Sequence, residues 1–251
     1  MATTGRPDDG PMTTMTTTVL ITGANRGLGR ETARQLAALG WTVLLGARDA
    51  DRGRAAAADL AGDGADVRPV TLDVTDDASV AAAADRVADE VGRLDVLVNN
   101  AGIIGARVAP LETGPADFLA CFGVNLLGPV RVTRAFLPLL GKADLPRVVM
   151  VSSGMGSLAV TTDPERLESG IVSLVYPSSK AALNMVTTQY AKALPGWKVN
   201  AVDPGYTATD LNGHAGHKSV EEGARAIVAL STVGTDGPTG GFFDDRGPVP
   251  W

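Results

Sequence analysis

From residue 18 onward, short apolar runs rich in β-branched residues alternate with Ala-rich stretches whose apolar positions recur at helical spacing. Val19–Ile21, Thr42–Leu45, Val67–Leu72, Leu94–Val98, Val148–Val151, Val199–Val202 and Gly240–Phe243 read as strands. The spacing predicts helices over about 28–39, 51–61, 77–91, 114–121, 123–140, 176–194 and 220–230. In the first helix, Leu28, Thr32, Leu36 and Leu39 recur on one face, and Gly40 supplies the C-terminal stop. Such βαβα order implies an α/β fold: a doubly wound parallel sheet of about seven strands, with right-handed crossovers and helices on both faces. No internal repeat or linker divides residues 18–251, which read as one domain. Residues 1–17 lack both a basic start and an apolar core. Their Thr, Gly, Pro and Asp content reads as a disordered leader rather than a secretory signal.

Composition narrows the function classes. The net charge of −6 argues against a nucleic-acid partner, which needs a basic face, but not against a nucleotide cofactor, which needs one local basic cluster. Cys121 is the single cysteine, so no intramolecular disulfide forms and a cytoplasmic setting is natural; the residue reads as a packed hydrophobe. No apolar stretch reaches the ~18 residues of a membrane span. His214 and His217 suggest a cation, yet no carboxylate or Cys partner lies at suitable spacing, so no metal is expected and both read as solvated loop residues.

Candidate chemistry begins at Gly23-Ala24-Asn25-Arg26-Gly27-Leu28-Gly29, which follows a strand and opens a helix. Glycines there let backbone N–H groups approach a pyrophosphate, and the helix N-terminus favours its charge. The second strand ends Gly46-Ala47-Arg48, without the carboxylate that would accept from a ribose 2′-OH. Arg48, with Arg26 in the turn, can instead bond a 2′-phosphate, favouring NADPH/NADP+ over NADH. Asp73, beside Val74 at the end of the third strand, is placed to accept from an adenine amino group or to cap the next helix. The other informative stretch is Tyr176-Pro177-Ser178-Ser179-Lys180. Residues i and i+4 share a helix face, and Pro177 fits a first turn, where its missing N–H has no intrahelical acceptor. A phenol with an ordinary pKa near ~10 would be acidified by the neighbouring ammonium and so fitted for acid–base work.

These motifs, with Asn99-Asn100-Ala101-Gly102, Asn125, Ser153 and Asp203-Pro204-Gly205 in the same order, resemble the short-chain dehydrogenases/reductases. The resemblance runs from about Val19 to Asp245, and Asn25-Arg26 with Gly46–Asp49 is similar to the NADPH-using carbonyl reductase-like members. It implies a Rossmann-type domain that moves a hydride between nicotinamide and a ketone or aldehyde. It also implies roles. Tyr176 exchanges the proton with the substrate oxygen, Lys180 holds the nicotinamide ribose and tunes Tyr176, and Ser153 bonds the substrate oxygen. Asn125 anchors a water of a proton relay. Asn99 and Gly102 form the floor beneath the adenosine half, by direct contact or structurally, and Ala101 is a further cofactor-binding residue. Pro204 and Gly205 lie against the nicotinamide, and Thr207 and Thr209 complete the cofactor contacts.

The sequence departs from the pattern in two places. Ser153 and Tyr176 lie 23 positions apart, longer than in many relatives, so a surface excursion near Thr161–Gly170 is expected beside the substrate entrance. This leaves Ser152 and Ser153 to be distinguished, with Ser153 preferred. The segment after Thr209 is short and polar, so the pocket is expected to be open. Ile103, Ile104, Met155, Leu174, Tyr206 and Leu211 are expected to face the substrate, which favours a small hydrophobic carbonyl. A 3-oxoacyl-thioester reductase and a non-catalytic NADP-binding sensor are the competing readings. Pairing through helices 123–140 and 176–194 would give a homodimer or homotetramer, whereas the excursion is compatible with a monomer. The Gly247–Trp251 tail reads as either loose or packed through Trp251 on a neighbour.

Overall fold

A computed structural model describes residues 16–62, 64–105 and 108–251. All but the last two residues of the expected leader fall outside them. Among the described residues the strands are β1 (Thr18–Ile21), β2 (Thr42–Ala47), β3 (Val67–Thr71), β4 (Val96–Asn99), β5 (Arg147–Val151), β6 (Lys198–Val202) and β7 (Phe242–Phe243). The helices are α1 (Gly27–Ala37), α2 (Ala50–Ala61), α3 (Asp77–Glu90), α4 (Pro115–Phe122), α5 (Gly128–Leu140), α6 (Leu158–Thr162), α7 (Val175–Ala193) and α8 (Val220–Ser231).

The strands form one sheet in the order β3-β2-β1-β4-β5-β6-β7, every neighbouring pair parallel. Successive strand residues point to opposite faces, and here both faces are covered. Val19, Ile21, Val43, Leu45, Val96 and Val98 pack with Leu36 of α1, Ala56 of α2 and Ile227 of α8. Their alternates Leu20, Leu44, Leu97, Val148 and Met150 pack with Val87 of α3, Phe136 of α5 and Leu183 of α7. The central apolar runs therefore become strands because both of their faces are covered, whereas edge strand β3 leaves Thr71 exposed. The fold is the Rossmann-type α/β architecture, with its topological switch between β1 and β4, where loops diverge to opposite faces and leave a crevice.

Three details differ from the pattern-based reading. The fourth strand begins later than its apolar run predicts, because the Leu94 N–H bonds the Leu139 carbonyl rather than a strand neighbour. The helices expected at 114–121 and 123–140 are joined: α4 continues through a wide π turn at Gly123–Leu127 into α5. The excursion carries α6 and a 3₁₀ turn at Leu167–Gly170, where no helix was expected. The tail packs on this chain's own sheet rather than hanging loose. Val249 N donates to Phe242 O at 2.8 Å, and the Trp251 ring stacks on Phe242 with centroids 5.5 Å apart. No helix among the described residues is long and apolar enough to cross a membrane.

Candidate active site

Residues that follow the C-terminal ends of β1 to β6 converge on one cleft. Its lining includes Gly23, Asn25, Arg26, Gly27, Leu28, Gly29, Arg48, Asp73, Val74, Ala101, Gly102, Tyr176, Lys180, Pro204 and Thr209, all expected from the sequence. The β1 and β4 corners are tied together by Thr22, whose Oγ1 accepts from the N–H groups of Asn100 and Ala101 at 2.9 Å each. Asn100 returns the link, its Nδ2 donating to Thr22 O at 2.8 Å. Asn100 is a site residue the sequence reading did not single out. Its place in the Asn-Asn-Ala-Gly run was the available signal.

The turn is shaped for a close approach. A Cβ at Gly29 would fall 2.7 Å from Gly23 O and 2.5 Å from Asn100 Nδ2, so only glycine fits. Helices α2, α3 and α8 each start with a side-chain cap, from Asp49, Asp76 and Ser219. Helix α1 starts with none and carries no acidic residue in its first turn, leaving its N–H groups and positive dipole end directed at the cleft. Arg48 is exposed and forms no ion pair among the described residues. Arg26 spans the cleft to Asp210, 3.1 Å away, and Asp210 also meets His214 Nε2 at 2.9 Å. These features fit an anionic dinucleotide with a 2′-phosphate.

Two expected contacts face elsewhere. Asn99 takes the structural alternative: its Nδ2 donates to Thr133 Oγ1 at 3.1 Å inside the core rather than toward the cleft. Thr207 is buried, and its hydroxyl bonds the carbonyls of Pro204 and Gly205, both at 3.2 Å, bracing their turn. Asp73 Oδ1 accepts from the Thr75 backbone and hydroxyl, at 2.9 and 2.6 Å. His217 packs against the Tyr206 ring.

At the inner end of the cleft, α7 begins at Val175, which puts Tyr176 and Pro177 in its first turn as expected. Burial pushes the Tyr176 phenol up to about 12, and a hydrogen bond with the Ser153 side chain pulls it back only in part. Lys180 Nζ lies 5.7 Å from the Tyr176 ring centroid and donates to Val151 O at 2.7 Å. Burial lowers this ammonium to about 8. In the chain by itself burial therefore moves the phenol upward, the direction opposite to the acidification expected from the sequence, and the Asp203 and Cys121 charges add to it.

The two serines differ in their partners. Ser152 is buried and donates to Asn184 Oδ1 at 2.5 Å, whereas Ser153 meets the Tyr176 phenol. Asn125, placed inward by the π turn, pairs with both backbone groups of Ile103: Oδ1 accepts from its N–H at 2.9 Å and Nδ2 donates to its carbonyl at 2.8 Å. Nδ2 also reaches Ser179 Oγ at 3.0 Å, and Ser179 donates to Tyr176 O at 2.7 Å. Ser179 therefore connects Asn125 to the turn that carries Tyr176, a link that sequence spacing gave no sign of. Of the expected substrate face, Ile103 and Leu211 line the cleft itself. Leu174, Tyr206 and Leu211 are exposed, Ile104 and Met155 are half-buried, and the excursion carries exposed Ile171 and Val172.

Comparison with known proteins agrees with this geometry. A family model described as short chain dehydrogenase matches residues 17–219. The (+)-neomenthol dehydrogenase of Arabidopsis thaliana is 36% identical, with 90% of this chain and 95% of that protein covered. The (−)-isopiperitenone reductase of Mentha piperita is 35% identical over 89% of this chain and 95% of that protein. The crystal structure of NADPH-bound carbonyl reductase from chicken fatty liver superposes with a TM-score of 0.83 at 30% identity, covering 94% of this chain and 99% of that one.

Proposed function

This chain belongs to the short-chain dehydrogenase family, and from that premise we propose how its residues divide the work of carbonyl reduction. The protein is an oxidoreductase that uses NADPH/NADP+ to interconvert a ketone or aldehyde and an alcohol. When bound, the cofactor supplies the hydride that reaches the carbonyl carbon. The α1 N-terminus and the Gly23–Gly29 turn hold its pyrophosphate, with Arg48 and Arg26 on the 2′-phosphate.

Tyr176 donates the proton that the carbonyl oxygen takes up as hydride arrives, and removes it in the reverse direction. Ser153 donates a hydrogen bond to that oxygen as negative charge builds on it. Lys180 holds the nicotinamide ribose and presents positive charge beneath the phenol. Asn125 keeps a water in reach of Lys180 for proton resupply. Supporting this division is one observation: Tyr176 and Lys180 line the inner end of the cleft onto which the glycine turn opens, with the Lys180 ammonium 5.7 Å from the centre of the phenol ring. A small hydrophobic carbonyl is the substrate class that suits the apolar mouth, and it agrees in kind with the neomenthol and isopiperitenone in the relatives' names. A cytoplasmic setting is the one that a single unpaired cysteine suits.

The test is Tyr176→Phe assayed with NADPH and a carbonyl panel of menthone, cyclohexanone and glyceraldehyde. Turnover should fall on the order of 10²–10⁴-fold, the usual worth of a positioned acid–base group. NADPH binding, followed by reduced-nicotinamide fluorescence, should persist. Near-normal turnover in this variant would refute the assignment, and preference for polyhydroxylated carbonyls would refute the substrate class.

A further inference from the structure

Between Ser153 and the substrate mouth the chain is held from two sides. After Ser153 it turns through Gly154–Gly156, and Ser157 then caps α6 by accepting from Val160 N at 3.0 Å. On the inner side this turn rests on α7. Asn184 Nδ2 donates to Gly156 O at 3.2 Å, and a Cβ at Gly156 would fall 2.7 Å from the carbonyl carbon of Lys180. On the outer side the partner is the tail. Ser157, 1% exposed, donates its hydroxyl proton to Pro250 O at 2.6 Å, and Ala159 N donates to Trp251 O at 3.1 Å. Beneath these bonds Val160, Val249, Ala201 and Phe242 form a small apolar cluster of their own, with Trp251 stacked on Phe242 at an interplanar angle of 18°.

We infer that the Gly247–Trp251 segment is a strap that positions the Ser153 turn and the excursion forming the substrate wall, with Trp251 and Ser157 as its positioning residues. The inference rests on the proposed roles of Ser153 and Tyr176. Among the described residues no hydrogen bond, ion pair or ring contact joins the strap to the glycine turn or to Arg48, so its influence is expected at the carbonyl end of the cleft. Ser157 joins the two elements it positions: its backbone continues from the catalytic serine, and its hydroxyl carries the tail. A shift of the tail therefore moves both the hydrogen-bond donor to the substrate oxygen and the residues that lead to Leu174. Small displacements of such groups are costly to turnover.

The experiment compares Trp251→Ala, Trp251→Phe and Ser157→Ala with the parent chain, using menthone as probe. Trp251→Ala and Ser157→Ala should each raise the KM for menthone at least about fivefold and lower kcat, while the NADPH dissociation constant stays within about twofold. Trp251→Phe, which keeps a ring on Phe242, should restore most of both parameters. Circular-dichroism melts establish that each variant is folded at the assay temperature. Unchanged menthone kinetics in Trp251→Ala would overturn the strap, as would equal losses of menthone turnover and NADPH affinity. If the parent's turnover proves indifferent to Tyr176→Phe, the underlying site assignment fails; if Tyr176→Phe is inactive and Trp251→Ala is normal, only the strap fails.

Discussion

Individual side chains at this site do what their surroundings dictate, and the dictation is mostly desolvation. Lys180 is 4% exposed, and its ammonium sits at about 8 against an ordinary 10.5. Between those values the unfolded chain keeps a proton that the folded chain has released, so stability rises with pH across that window and is lower by roughly 3 kcal/mol below it. Denaturant melts at pH 7 to 10 should therefore show the parent gaining on a Lys180→Met variant, and parallel curves would contradict this. Arg48 illustrates the opposite case, a guanidinium held in water. Arg48→Ala should weaken NADPH at least about tenfold, as expected for a lost charge-assisted pair, and leave NADH nearly unchanged. Titration with both nucleotides decides it. The motif residues Tyr176, Lys180 and Arg48 were legible because residue type and spacing carry their chemistry. The inward turn of Asn99 and the upward shift of the phenol were not, since each depends on a partner far away in sequence or on exclusion of water.

At the level of elements, the sequence marks where a helix or strand exists better than how it connects. The seven apolar runs and the Ala-rich stretches between them correspond to β1–β7 and the major helices, because burial on both faces writes a continuous signal. The π turn between α4 and α5 leaves no such signal: the pattern separates two helices at residue 122, whereas the chain stays helical and uses the wide turn to bring Asn125 inward. Helix α6 was hidden by its short length and by Thr161 and Thr162, which read as loop. The first βα corner is the most constrained junction. Gly29→Ala should lower NADPH affinity sharply, because the methyl group meets Gly23 O and Asn100 Nδ2 and must displace one of them. Fluorescence titration measures this, and wild-type affinity would show that the corner yields.

Over the whole molecule, stability and chemistry are separated in space. The two apolar layers lie on the faces of the sheet, and the reacting groups gather at one rim. Phe136, fully buried against β4 and β5, belongs to stability alone. Phe136→Ala should cost about 3–5 kcal/mol in urea unfolding, with menthone KM unchanged in the fraction that remains folded. A change confined to KM would be inconsistent with that separation.

The rim opposite the chemistry has its own consequence. The turn from Gly141 to Leu145, just before β5, is largely exposed and lies at the start of the strands rather than their ends. A fluorophore, affinity handle or entire folded module grafted there would ride on the far side of a rigid sheet. Turnover should be insensitive to such cargo, which makes this turn a natural point for immobilising or circularly permuting the enzyme.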